Sequence, residues 1–240
     1  MDRGIWATWY DLESSEEARY LHWAHEHYLP LLRALPQHRW VAHYRYRGGG
    51  AQMLQIKKGV VSHTAEDIGL GTQFLVLVGA DLPHTFFAPY FADLELPHGF
   101  DEMLALRQGL RTAVFSEEAS INGPSFDGAS AMPAPAIQMG TLRPRSIEAE
   151  FDLLKWYAQY RLPSMGKMQG CVRTRKLSGV AGWPKHGILY EFESLEMRLK
   201  HFEQGHESLA LDPSHWTSRI TRASIHAPGS PFIGERIWAG

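Results

Sequence analysis

Three histidines fall within six residues, His22, His25 and His27, just ahead of Pro30. Such a run suggests either a metal site or acid–base chemistry. On an α-helix, 100° per residue lets His22 and His25 share a face and turns His27 away, and no carboxylate or cysteine cluster completes a tetrahedron nearby. No metal is expected. The same wheel places His27 on one arc with Tyr20, Trp23 and Ala24, flanked by Leu21 and Tyr28, while Arg19, His22, His25 and Glu26 take the polar side. An imidazole in an apolar stripe tends to stay neutral and can serve as a general base near neutral pH. A core histidine satisfied by a backbone or tyrosine partner is the structural alternative. The expected site is therefore catalytic His27, with Tyr20 and Trp23 beside it, the strand aromatics Trp9 and Tyr44 lining a pocket, and His63 closing over the ligand from a loop.

Those residues need a scaffold. Gly4–Asp11 is a β-branched and aromatic run and reads as a strand. Ser14 and Glu17 have capping-box spacing ahead of a helix running to about Leu35. Pro30 cannot donate to the carbonyl of Glu26, so the helix should kink or end one turn beyond His27. Strands are expected at Arg39–Tyr46, Thr72–Gly79 and Val114–Ile121, and helices at Thr85–Leu94 and Asp101–Arg111. The second half repeats the plan, with strands near Ile137–Leu142, Gly170–Lys176, His186–Phe192 and Arg222–His226. Its helices are Ile147–Arg161, Leu195–His206 and a short Pro213–Arg219 piece. Trp40, Ala42, Tyr44 and Tyr46 share one face of the second strand, and Val41, His43 and Arg45 the other.

The two halves echo each other. Trp23, Leu29 and Pro30 match Trp156, Leu162 and Pro163 at a constant separation of 133 residues, as Thr8 matches Thr141. Ala119–Ile121 precedes a Gly-Pro-Ser-Phe-Asp-Gly segment, and Ala223–Ile225 precedes Gly-Ser-Pro-Phe-Ile-Gly. Small residues and prolines between Gly123 and Ala136 read as a linker. The expected organisation is a first repeat over 1–122, a linker over 123–136 and a second repeat over 137–240. The first repeat alone carries a long insertion, 47–70; Gly48–Gly50 within it reads as flexibility, not as a phosphate loop. A β-α-β-β-α-β unit makes a four-stranded antiparallel sheet with both helices on one face, and a second such sheet is the economical cover for the bare face. The fold class is thus α+β: two tandem ferredoxin-like (βαββαβ) repeats whose antiparallel sheets face each other in an α+β barrel. His27 has Tyr160 as its counterpart, a poor base at neutral pH, so a single functional pocket is expected in the first half.

Composition sets bounds on function. Hydrophobic residues make up 44% and the net charge is −2, which supports a real core and gives no electrostatic footprint for nucleic acid. No apolar run has the length of a membrane span, and one cysteine, Cys171, excludes an internal disulfide, so a cytoplasmic location is expected. Thirteen histidines and eight tryptophans suit a pocket for an aromatic or otherwise apolar ligand. There is no Gly-x-Ser-x-Gly elbow.

The run Trp-x-x-x-His-Tyr-Leu-Pro over 23–30, on the first helix after an N-terminal strand, resembles the EthD-like branch of the dimeric α+β-barrel superfamily. The match covers the first half through Pro30; the second half fits by pattern and lacks the histidine. The resemblance implies a pocket between sheet and helices for small aromatic, polyketide-like or lactone substrates. It also implies a choice among cofactor-free monooxygenases, isomerases, cyclases and lyases, and haem proteins such as the chlorite dismutases, which are likewise tandem. Fold alone does not choose among these. The leading expectation is a cofactor-independent lyase or isomerase acting on a small aromatic or apolar catabolite through His27, with the insertion as cover and no cofactor. The alternatives are a cofactor-free monooxygenase, a haem oxidoreductase with His201 or His206 as axial ligand, and a non-catalytic small-molecule binder. Association of whole barrels into a homo-oligomer is left open.

Overall fold

A computed structural model describes residues 2–88, 93, 95–128 and 131–240. The strands are β1 (Gly4–Asp11), β2 (His38–Tyr46), β3 (Phe74–Ala80), β4 (Gln108–Asn122), β5 (Ala136–Pro144), β6 (Cys171–Ala181), β7 (His186–Phe192), β8 (Ser224–His226) and β9 (Phe232–Ala239). All pair antiparallel in one sheet of order β7-β6-β4-β1-β3-β2-β9-β5, and β5 pairs back onto β7 to close an eight-stranded barrel. The first half contributes β4-β1-β3-β2 and the second β6-β7-β5-β9, the same arrangement in each. Closure comes at two seams, β4 against β6 (Val114↔Ala181 to Asn122↔Arg173) and β2 against β9 (Ala42↔Ala239 to Tyr46↔Gly234).

Alternation along the strands sends every second side chain into the lumen. Ile5, Ala7 and Trp9 from β1, Trp40, Ala42 and Tyr44 from β2, and Ala113, Phe115, Ile137, Met139, Leu177, Leu189 and Phe232 pack there as one buried cluster. The lumen is a core. The outward faces carry two further cores under the helices, one in each half, built around Tyr10, Tyr20, Leu29 and Phe74 and around Trp156, Tyr157, Tyr190 and Phe202.

The first helix differs from expectation in an informative way. It runs as α1 (Glu17–Trp23), a π-helical turn Ala24–Tyr28, and α2 (Leu29–Ala34). The second half repeats this as α5 (Ile147–Trp156), a π turn Tyr157–Arg161 and α6 (Leu162–Met165). Each π turn lies immediately ahead of the Leu-Pro pair. Proline lacks the N–H that would close an α turn, and its ring clashes with the carbonyl four residues back. Widening the preceding turn lets the chain continue, with the Leu29 N–H reaching the Ala24 carbonyl and the Leu162 N–H the Tyr157 carbonyl. Pro30 neither ends the helix nor breaks it.

Other local expectations are corrected. Helix α1 begins at Glu17 with Glu16 as N-cap and no side-chain capping bond, so the Ser14–Glu17 box does not form. The helix expected over Asp101–Arg111 is only α4 (Phe100–Leu104), because β4 begins at Gln108. Of the helix expected over Thr85–Leu94, Pro83–Phe86 is a 3₁₀ turn, and residues 89–92 and 94 lie outside the described set. The last strand is split. Pro228, Gly229 and Pro231 interrupt pairing after β8, and β9, absent from the sequence reading, supplies the second seam. The insertion, for which no helix was expected, contains α3 (Ala51–Gly59).

One end of the barrel is fastened by a buried ionic cluster. The fully buried guanidinium of Arg175 on β6 bonds Asp2 Oδ2 (2.7 Å) and Glu191 Oε1 (3.2 Å). Trp40 Nε1 donates to the same Asp2 oxygen, Arg173 Nε to Glu191 (2.9 Å), and the backbone N–H of Ala134 to Glu191 Oε2 (3.0 Å). Removing one member of a buried ion pair leaves the other uncompensated, at a cost of about 3–5 kcal/mol. Glu191→Gln, which strips the charge facing both arginines, should lower unfolding stability by roughly 3 kcal/mol in urea titrations. A change under about 0.5 kcal/mol would show that the cluster is not needed to hold the seam.

Candidate functional site

The residues expected to form one site lie in three places. Trp9 and Tyr44 face the lumen, where the Tyr44 hydroxyl donates to the Ala134 carbonyl and the Arg111 guanidinium sits 4.9 Å over the Trp9 ring. Tyr20 and Trp23 pack on the opposite face of the sheet, beneath the first helix. His63 is exposed in the insertion, with Nε2 3.2 Å from the Ser230 carbonyl oxygen. His27 is exposed too, outside the apolar arc. The cause is the π turn. Residues in a wider turn advance less around the axis than 100° each, so by His27 the phase lags and the ring leaves the buried arc.

The same lag carries His25 inward. Its Nε2 lies 3.0 Å from Nδ1 of His43, whose Nε2 lies 2.8 Å from the Tyr10 hydroxyl. The Tyr10 ring in turn meets the Tyr20 ring edge-on, with centroids 5.6 Å apart. Burial first, then His25 and Arg45, holds His43 well below the ordinary histidine value, and burial likewise raises Tyr10. This chain runs from a half-buried histidine to a fully buried tyrosine pair with its members already partnered. Position 43 was placed on its strand face in the sequence, but nothing there paired it with His25.

A partly enclosed cleft lies in the second half, between the outer face of β5, β7 and β8 and the helices over it, with a cavity volume of about 70 Å³. Ile188, Leu142, Leu153, Ile220 and Met53 line it, together with Trp156, Tyr157 and Tyr190. Its cover comes from the first half: Met53 and Ile56 of α3, and Val61. The insertion, expected to cover a pocket in the first half, lies instead over the second. Two devices hold it there. The Glu203 carboxylate accepts from the backbone N–H groups of Gly50 (2.9 Å) and Met53 (3.0 Å), satisfying the N-terminus of α3. Burial opposes that charge, but these donors and Arg198 outweigh it and keep Glu203 below the usual carboxylate value. Farther along, the N–H of His226 on β8 donates to the Ser62 carbonyl (2.8 Å), and the Thr64 N–H donates to the His226 carbonyl (2.9 Å).

The polar groups of the cleft are short of partners. Arg161 is fully buried, and its Nε and Nη1 make no hydrogen bond; Trp156 Nε1, Thr217 Oγ1 and both ring nitrogens of His226 are buried and unbonded as well. Buried polar groups are ordinarily satisfied, so several in one cleft point to a ligand or ordered water. Burial above all, with the neighbouring charges of His63, Arg145 and Lys57 and against a backbone contact to Thr221, lowers His226 to about 4. Its imidazole is therefore neutral at pH 7. Arg161 arises at the position of Tyr28 in the first half, and the matched spacing of the halves was the one sequence signal that could have drawn attention to it.

A haem would need an axial ligand projecting into the cavity. His201 and His206, on the π-helical segment Arg198–Glu207, do not line the cleft, and the covering helices place no other histidine in it. The donor set does not fit haem held as the resemblance implies, and no step is assigned to one. Among the described residues no three His, Cys, Asp or Glu side chains are grouped to hold a metal ion, and no helix is long and apolar enough to cross a membrane.

The closed α+β barrel recurs in solved structures of low sequence identity. A candidate monooxygenase from Fusobacterium nucleatum subsp. nucleatum superposes with a TM-score of 0.62 at 7% identity, covering 99% of this chain and 94% of its own. An anthrone oxidase-like protein gives 0.59 at 10% identity over 100% and 92%. A chlorite dismutase variant from Candidatus Nitrospira defluvii gives 0.51 at 12% identity over 98% and 92%. At these identities the likeness establishes the barrel and leaves the chemistry to the site. No family model matches the sequence, and no curated protein matches it.

His25, His38, His43, His186, His206 and His226 are all lowered, with burial the leading cause in each. In the unfolded chain they protonate near pH 6.5. Below that pH the unfolded state binds protons that the fold refuses, so stability is complete above about 6.5 and falls as the pH drops toward the folded values. Thermal melts should give a clearly lower Tm at pH 5.5 than at 7.5. An equal or higher Tm at 5.5 would contradict this account of the buried imidazoles.

Proposed function

We propose that the chain is a cofactor-independent enzyme performing acid–base chemistry on a small aromatic or otherwise apolar compound bound in the second-half cleft. One observation carries the reading: a buried, neutral, unbonded imidazole, His226, lines an apolar and aromatic cleft whose only lysine or arginine is Arg161. In this scheme a substrate proton passes to a free ring nitrogen of His226, and the charge left on substrate oxygen is met by the Arg161 guanidinium, which is already in place and needs no reorganisation. Return of the proton at another atom gives an isomerase; loss of a leaving group gives a lyase. The acid–base role thereby moves from His27 to His226.

A second reading is supported by the printed descriptions of the fold neighbours, a candidate monooxygenase and an anthrone oxidase-like protein. The same substrate anion would then reduce dioxygen. An oxygen electrode run beside an absorbance assay on a panel of hydroxyaromatics and unsaturated lactones separates the two: oxygen uptake matched to turnover selects the monooxygenase.

On whichever compound turns over, His226→Phe should cost about 10²–10⁴-fold in rate, the range for a general base, with the fold retained. His27→Phe, on the exposed face, should change the rate less than about twofold. The reverse pattern would return the chemistry to the first helix.

A further inference from the structure

We infer that the cleft recognises an aromatic carboxylate, a planar apolar body carrying one negative charge, with the carboxylate held by Arg161. The inference rests on the cleft being the ligand site and specifies what it binds.

The argument starts from the guanidinium. Arg161 is 1% exposed and makes no hydrogen bond or ion pair among the described residues. Its faces are occupied: the cation lies 4.6 Å over the Trp156 ring and 5.2 Å over Phe202. Stacking uses the π face of the planar group, whereas its N–H donors point outward in the plane. Aromatic packing therefore explains where the side chain lies but leaves its donors unmet. Compare the other fully buried arginines. Arg175 meets Asp2 and Glu191, and Arg198 meets Glu203 and Gln138. Arg161 alone of the three has no acceptor supplied by the protein.

The charge must be met by a formal anion if the cation is to sit comfortably in an apolar cleft. Glu207 is the one carboxylate lining the cleft; it accepts from Gln138 Nε2 at 3.1 Å and forms no ion pair within 4 Å of Arg161. A carboxylate is ionised at pH 7 without assistance, whereas a simple phenol, with pKa near ~10, is not. Among the described residues lining the cleft Arg161 is the one lysine or arginine, so a single negative charge is matched there better than a phosphate dianion. The other unbonded groups agree: Trp156 Nε1 can only donate, and Thr217 Oγ1 can. The remaining wall, with Leu142, Leu153, Ile188, Ile220 and the rings of Tyr157 and Tyr190, suits a flat hydrocarbon body.

The test is equilibrium binding with a shape-matched pair, 2-naphthoate and 2-naphthamide, by isothermal titration calorimetry on the full chain at pH 7. Wild type should bind the naphthoate at least tenfold more tightly. Arg161→Met, which keeps the packing between Trp156 and Phe202 and removes the charge, should bring the ratio to within twofold of unity, with an unchanged far-UV circular dichroism spectrum. Arg161→Lys should keep a preference for the anion. Equal or tighter binding of the amide by wild type, absence of binding by both, or a tenfold preference surviving in the Met variant would each overturn the inference. Should the Met variant not fold, the wild-type ratio decides alone. Because turnover is not measured, an intact naphthoate preference beside a His226→Phe variant that turns over as fast as wild type would remove the His226 assignment and leave this one standing.

Discussion

Everything in this molecule depends on closure of the sheet. Eight strands joined edge to edge at the β4–β6 and β2–β9 seams leave no free edge, and the alternation of side chains then has only two destinations. Inward positions fill a lumen dense with Trp9, Trp40, Tyr44 and Phe115. Outward positions meet helices. An eight-stranded barrel can be filled by its own side chains, and this one is, so open space is left only outside it, between sheet and helix. That is why Trp9 and Tyr44, as aromatic as any residues in the chain, pack the core, and why the cleft opens over β5, β7 and β8 instead.

The second constraint is covalent. A proline in the middle of a helix removes a donor and obstructs a carbonyl, and at Pro30 and Pro163 the chain answers by widening the turn before it. This reorders which side chains face the sheet. In the first half it withdraws His27 and turns His25 onto His43; in the second, the same turn holds the buried side chains of Tyr157 and Arg161. Two halves with the same strand order and the same π turn thus end with different chemistry. The first fills the space with Tyr20, Trp23 and Tyr28, Trp23 stacked on Tyr28 and tilted against Tyr20. The second places Arg161 where the first has Tyr28, and leaves a cleft.

The barrel was legible because its signals are local and repeated: β-branched and aromatic runs at Gly4–Asp11 and Arg39–Tyr46, the small-residue stretch before Ala136, and the Trp and Leu-Pro pairs 133 residues apart. The placement of the first-helix histidines was not legible because its determinants are not periodic. A helical wheel assumes 100° per residue throughout, and five residues of π turn are enough to exchange the roles of His25 and His27. His226 could not be singled out either, since its burial comes from the insertion laid across it, a contact between residues more than 150 positions apart. Glu203 shows the same limit. Among charged neighbours it looks solvated in sequence, yet it is buried against Arg198 and the N-terminus of α3.

The insertion explains how one half comes to serve the other. Met53 and Ile56 could not reach the first-half helices and also lie on the second; the chain leaves β2 at Tyr46, whose seam partner is Gly234 of β9 in the second half. A segment starting at that seam already stands beside the second-half sheet, and Glu203 at its far side offers the N-terminus of α3 a charge to dock on. The anchoring is polar at the ends, through Glu203 and the backbone of His226, and apolar between, through Ile56, Val60 and Ala210. Lengthening one loop at a seam therefore covers the neighbouring half without disturbing either sheet. Desolvation follows from that cover: His226 is buried and kept neutral under a segment that belongs, in sequence, to the other half.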